Sequence, residues 1–287
     1  MRLPFLFLTP ACVLLGVATA FWTSGRVSFP YVILAFAGGV SAHISVNSLN
    51  EYFDFKSGLD FKTKRTPFSG GSGTLPGNPG AAWRALVTGL TALVVTILIG
   101  IYFVILRGLL LLPLGLVGIM LVFFYTNWFT RNPLLCLIAP GLGFGPIMVM
   151  GTHFVLTASY SSPAGIASLI PFFLVSNLLL LNQFPDVEAD RDAGRRHLPI
   201  AVGLRVSSLV YGAFLLLAYI VILFGVRIRM FPAFTMLGLL TIPAALIAFY
   251  GAFRYGENIK KLQPYMGLNV IVVILTPVLV AIGLFVG

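Results

Sequence analysis

Apolar residues fill this chain in long stretches, at about 3–22, 29–50, 82–106, 109–129, 134–157, 165–184, 207–226, 231–253 and 265–286, with polar breaks between them. Stretches of roughly 20 apolar residues match the thickness of a bilayer core when helical. A helix also satisfies its own backbone in lipid, and no ten-residue alternation supports a barrel. The pattern predicts an all-α polytopic membrane protein, with nine transmembrane helices in a single domain over residues 1–287. Two connections exceed what a turn requires, about 50–81 and 185–206. The first contains Thr66-Pro-Phe-Ser-Gly-Gly-Ser-Gly-Thr-Leu-Pro-Gly-Asn-Pro79, too rich in Pro and Gly for a long helix. Its length and charge predict a lid over a site rather than a plain linker. Gly-Leu-Gly-Phe-Gly at 141–145 lies inside an apolar stretch with no strand before it, so close helix packing is expected there, not phosphate binding.

Composition sharpens this picture. At 59% hydrophobic, 9% charged and mean hydropathy +1.01, a soluble globule is excluded. The formal charge of +10 has no basic face or stacking pattern to suggest nucleic acid. It reads instead as topology. Of the 18 Lys and Arg, only Arg26, Arg107, Arg227 and Arg229 fall in the odd-numbered connections. The positive-inside rule therefore predicts a cell-membrane protein with a cytoplasmic N-terminus, cytoplasmic long loops and an outward C-terminus. Ala18-Thr19-Ala20 resembles a signal-peptidase site, but the preceding stretch is long and holds Pro4 and Pro10, so retention as a first span is expected. Cys12 and Cys136 lack metal-ligand spacing and read as small buried hydrophobes. His43, His153 and His197 share no spacing that suggests a metal site.

The eight acids are the informative residues. Apart from Glu257 they fall in two places: Glu51, Asp54 and Asp60 after the second apolar stretch, and Asp186, Glu188, Asp190 and Asp192 after the sixth. Asn50 and Asp54 are four apart, as are Asp186 and Asp190, so each pair shares a helical face. Gly58 is expected to end the first helix, because Asp60 would otherwise point off that face. Glu188 and Asp192 form another such pair on a different face. Carboxylates near lipid must be offset. An ion-pair cluster with Lys56, Lys62, Lys64, Arg65, Arg191, Arg195 and Arg196 is one way. A metal–diphosphate site suits the arrangement better, since Mg²⁺ takes one or two protein oxygens and completes its shell with water and phosphate. A diphosphate bound at the mouth of a lipid-embedded bundle implies a greasy tail, as in an allylic prenyl diphosphate. Aromatic walls could then shield the cation formed when the diphosphate leaves. A cation-coupled transporter is the alternative from another class, disfavoured because the acids sit at span ends on one side.

The chain resembles the UbiA superfamily of intramembrane prenyltransferases. The resemblance rests on Asn50-Glu-Tyr-Phe-Asp54 with Gly58 and Asp60, and on Asp186-Val-Glu-Ala-Asp190 followed by Gly194-Arg-Arg. It is most similar to the menaquinone-type branch through 47–60, Lys64-Arg-Thr-Pro, Tyr125-Thr126 and Gly143-Phe-Gly-Pro. That branch often carries an acid just before the last stretch, where this chain has Ala139-Pro-Gly-Leu. The resemblance implies Mg-dependent transfer from a polyprenyl diphosphate to an aromatic quinone precursor within the lipid bilayer. Hydroxybenzoate, homogentisate and glyceryl phosphate lipids are alternative acceptors. It implies that Asn50, Asp54, Asp186 and Asp190 hold Mg²⁺, with Asp60 a further candidate. Lys62, Arg65, Arg195 and Arg196 would contact the diphosphate, or serve topology alone. Tyr125 would face the reacting carbon or fill the core, and Asn182 would line the cavity or join helices.

Overall fold

The computed structural model describes residues 3–63, 66–125 and 128–287. Arg65 therefore lies outside the described residues, as do Lys64 and Thr126. Among those described there are helices and no strand. Seven helices are long and apolar enough to cross a membrane: Phe29–Lys56, Pro79–Arg107, Pro133–Thr157, Ser162–Asn182, Leu198–Arg227, Ala233–Tyr255 and Ile259–Val286. Two apolar helices are shorter, Leu8–Ser24 and Leu109–Phe124.

Helix starts follow local chemistry. Asn132 accepts from the amides of Leu134 and Leu135 ahead of Pro133, Ser161 accepts from Ala164, and Asn258 accepts from Lys261. Each cap satisfies amides that have no partner inside the first turn. Departures from regular helix also have causes. Gly203 (φ 82°) interrupts the helical run from Leu198, which begins ahead of the apolar stretch expected from about 207. Residues 143–150 form a π-helix around Pro146, which has no N–H to give the ladder. Ala233–Thr241 is a 3₁₀ helix, and its buried residues, Thr235, Gly238 and Thr241, recur every third position. Three residues per turn put them on one face.

The bundle is apolar outside as well as inside. Ile105 is 81% exposed and Leu109 74%, the side chains of a surface solvated by lipid. Between helices, where apolar burial gives no advantage over lipid, small residues and hydrogen bonds hold the contacts. Asn177 Nδ2 donates to the Tyr211 carbonyl at 2.8 Å, and the Tyr211 hydroxyl donates to Asn269 Oδ1 at 2.8 Å. Thr241 meets both Tyr219 (2.9 Å) and Thr276 (2.7 Å). Gly141 and Gly145 do pack helices closely: a Cβ on Gly145 would stand 2.8 Å from the Phe172 amide nitrogen and collide with the Ser168 carbonyl, and one on Gly141 would collide with the Phe172 carbonyl. Ala18, Thr19 and Ala20 are fully buried in the Leu8–Ser24 helix. Both cysteines are free and buried.

Gly145→Val should therefore destabilise the protein in detergent by about 1–3 kcal/mol, read as a lowered Tm. Gly115→Ala is the control, since a Cβ there meets nothing within 4 Å and alanine suits a helix better than glycine, so the Tm should not fall.

Candidate active site

The first acidic cluster forms where the Phe29–Lys56 helix ends. Asn50 Nδ2 donates to Asp54 Oδ2 at 3.1 Å across one turn, as the four-residue spacing requires. Ser57 caps the helix, and Gly58 turns the chain with φ 80°. That turn returns Asp60, on the Leu59–Phe61 3₁₀ turn, to the same cavity as Asp54. Asp60 is thus a wall of the site rather than a residue left off its face.

The Gly-rich connection then lies across this wall. Thr66 Oγ1 accepts from the amides of Phe68 (3.1 Å) and Ser69 (2.8 Å), making a compact turn. Phe68 is anchored against the bundle beside Gly267. The next residues, Gly70 and Gly71, have φ of 76° and 68°. The Gly70 amide donates to Asp186 Oδ2 at 3.0 Å, so this connection reaches the second acidic cluster. A Cβ on Gly71 would stand 2.6 Å from Asp60 Oδ1. Ser72 Oγ donates to Glu51.

The second cluster follows the Ser162–Asn182 helix. Asp186 precedes the short Val187–Asp192 helix, and the Asp190 amide closes onto the Asp186 carbonyl at 2.8 Å. Gly194 (φ 77°) then reverses the chain, and the Arg195 amide donates back to the Asp190 carbonyl at 2.9 Å. The turn sends successive arginines in opposite directions. Arg195 enters the cavity, whereas Arg196 is exposed outside its lining.

Arg195 joins the two clusters. Its Nη1 donates to Asp190 Oδ1 at 3.1 Å, and its Nη2 donates to Asp54 Oδ1. Asp190 Oδ2 is met by His197 Nε2 at 2.9 Å. Burial works against the Arg195 charge, but Asp54 and Asp190 outweigh it and raise its pKa. Tyr125 lies in the same cavity.

One cavity of about 590 Å³ takes in Asn50, Asp54, Asp60, Asn182, Asp186, Asp190, Arg195 and Tyr125. Of the residues expected from the sequence, Lys62 and Arg196 are exposed and outside the lining, while Glu188 and Asp192 face outward. Residues not expected there join it: Glu51, Gln183, Cys136 and His197. Gln183 donates to Cys136 Sγ at 3.2 Å. Gln183 directly follows Asn182, and His197 directly follows the Gly194-Arg-Arg turn, so adjacency to the motifs was the available signal. From the acidic end the cavity continues along the Phe29–Lys56 helix to Ala35, about 28 Å at 1.5 Å per residue. Its walls there are mostly aliphatic and glycine. The expected aromatic walls reduce to Phe5, Phe68, Phe103, Tyr125 and Phe144, because most phenylalanines lie elsewhere in the bundle. Among the described residues, no three His, Cys, Asp or Glu side chains stand close enough to hold a metal by themselves. The donor set is still that of a hard cation: carboxylates and an amide around the Arg195 guanidinium.

The chain matches the UbiA prenyltransferase family over residues 9–284. It is 29% identical over 184 residues to the 1,4-dihydroxy-2-naphthoate octaprenyltransferase of Bacillus subtilis (strain 168), a stretch covering 62% of this chain and 56% of that protein. It is 28% identical over 267 residues to the UbiA prenyltransferase domain-containing protein 1 of Xenopus tropicalis, covering 91% and 74%. The fold is similar to the apo structure of a UbiA homolog from Aeropyrum pernix K1, with TM-score 0.77, 16% identity and 100% and 98% of the two chains covered. It is also similar to a UbiA homolog from Archaeoglobus fulgidus bound to GPP and Mg²⁺, with TM-score 0.55, 13% identity and 96% and 99% covered.

Gly58→Ala and Gly71→Ala should each cost about 1 kcal/mol for the left-handed backbone. Only Gly71→Ala also displaces the loop from Asp60. Limited proteolysis should cut residues 66–77 faster in Gly71→Ala than in Gly58→Ala, and equal rates would contradict the contact.

Proposed function

The chain belongs to the UbiA prenyltransferase family, and from that premise we propose that it transfers a prenyl group from a polyprenyl diphosphate to an aromatic quinone precursor. The observation that carries this is Arg195 bridging Asp54 and Asp190 at the polar end of an apolar cavity. The Bacillus relative's name supports a naphthoate-type acceptor. The Archaeoglobus homolog's GPP and Mg²⁺ support the donor and the metal.

In this reading Asn50, Asp54, Asp186 and Asp190 hold Mg²⁺, with Asp60 beside them. Bound Mg²⁺ supplies positive charge to the departing diphosphate. Few protein ligands are needed per ion when phosphate oxygens and water complete the shell. Arg195 then turns its fork from the carboxylates to the diphosphate oxygens, for which its planar geometry is suited. The Gly70–Ser72 segment covers the polar end and keeps water from the allylic cation. The tail occupies the aliphatic groove toward Ala35. The Tyr125 phenol offers its ring face to the cationic carbon, and Asn182 orients the acceptor. The C1–O bond breaks to give the allylic cation and diphosphate, the acceptor's nucleophilic carbon then bonds to the prenyl C1, and the proton displaced from that carbon passes to the released diphosphate. The short helices Leu8–Ser24 and Leu109–Phe124 complete a nine-span bundle. The charge bias supports a cytoplasmic N-terminus and acidic site and an outward C-terminus.

Purified protein in detergent, given an allylic prenyl diphosphate, Mg²⁺ and a panel of naphthoate, benzoate, homogentisate and glyceryl phosphate acceptors, should release diphosphate and yield one prenylated product by mass. Turnover without any gradient also separates this reading from transport. Asp54→Asn and Asp190→Asn should each lower turnover by about 100-fold or more, with an unchanged elution profile. EDTA should stop the reaction and added Mg²⁺ restore it. Undiminished turnover in EDTA would falsify the metal's role.

A further inference from the structure

A second polar cavity, of about 570 Å³, lies at the other end of the bundle. Its lining includes Ser28, which precedes the Phe29–Lys56 helix. Asp54 stands 26 residues along that helix, about 39 Å away at 1.5 Å per residue. The cavity is separate from the acidic site in both place and chemistry. Its lining contains Arg26 and Arg107, hydroxyl residues and His153, and no carboxylate.

Arg107 is fixed at the wall. Its Nε donates to the Val155 carbonyl at 2.7 Å, its Nη2 to the Leu156 carbonyl at 3.4 Å, and its guanidinium lies 4.8 Å from the Tyr31 ring centroid. Arg26 is exposed at the rim. His153 is 1% exposed. Thr19 Oγ1 donates to the Gly16 carbonyl at 2.8 Å, so its contact with His153 Nδ1 at 3.1 Å is one in which Nδ1–H donates. That assigns the proton to Nδ1 and leaves Nε2 as a bare acceptor. Nε2 is buried with no hydrogen-bond partner among the described residues. A buried acceptor without a donor is costly, and here it belongs to a residue lining a cavity with two arginines.

We propose that this cavity binds a phosphodiester that also carries a hydroxyl or ammonium donor, the chemistry of a phospholipid headgroup. Arg26 and Arg107 take the phosphate, and the donor group reaches His153 Nε2. A phosphate alone would satisfy the arginines and leave the imidazole lone pair unmet. The same chemistry could come from a lipid or from a soluble diester.

The test uses the full chain in detergent, with native mass spectrometry and thermal shift. The probes are phosphatidylglycerol, phosphatidylcholine with the same acyl chains, and glycerophosphoglycerol, the headgroup without its acyl chains. Phosphatidylglycerol should bind about ten-fold more tightly than phosphatidylcholine, whose headgroup has no donor. Arg26→Ala, at an exposed position, and His153→Gln should each remove that preference. Basic residues at the acidic end would retain anionic lipid equally in Arg26→Ala, so a loss there reads this cavity. Glycerophosphoglycerol displacing the lipid at equal concentration would support the site and identify a soluble diester as its occupant. Equal binding of the two lipids, or a preference undiminished in Arg26→Ala, overturns the proposal.

Discussion

Everything at the acidic end depends on how carboxylates are held at the edge of a lipid-embedded bundle. An isolated charge there costs several kcal/mol, and Asp54 and Asp190 are both buried. Arg195 meets both at once, and its charge persists because the two carboxylates outweigh the penalty of burial. Removing Arg195 leaves two buried carboxylates without their shared cation, the costly case for buried ion pairs, whereas removing either carboxylate leaves Arg195 paired with the other. The arginine therefore ties the end of the Phe29–Lys56 helix to the turn after Val187–Asp192. Two segments far apart in the chain become one wall.

The loops around this triad complete the arrangement through glycine. Gly58 and Gly194 turn the chain so that Asp60 and Arg195 point back into the cavity. Gly70 and Gly71 let bare backbone lie against Asp186 and Asp60, where a side chain would intervene. The amide of Gly70 gives Asp186 a donor that needs no counter-charge. The cavity is polar for a short distance only, then aliphatic along the rest of the helix. A diphosphate with a hydrocarbon tail matches that division, and the family assignment supports the same substrate class.

The two cavities differ in the charges that line them. Glu51, Asp54, Asp60, Asp186 and Asp190 line the candidate site around Arg195, while Arg26 and Arg107 share the far cavity with an imidazole and no carboxylate among its described lining. The first arrangement concentrates cations around acids. The second offers cations to an anion from outside the protein.

Much of this was legible in residue order. Long apolar runs specify membrane helices because a bilayer admits few other backbones, and most run boundaries lie close to the helices observed, the run from about 207 excepted, whose helix begins at Leu198. The i, i+4 pairing of Asn50 with Asp54 follows from helical period alone. The acids themselves pointed to the candidate site, since a lipid-embedded chain retains so few. What order could not disclose was direction after a turn. Whether Arg195 or Arg196 enters the cavity depends on the left-handed Gly194, and whether Asp60 returns depends on Gly58. His197 and Gln183 carry no signal beyond adjacency to the motifs, because their partners, Asp190 and Cys136, come from turns and helices whose approach is decided by packing. The aromatic wall was overestimated for the same reason: composition counts rings without telling which side of a helix meets the cavity and which meets lipid.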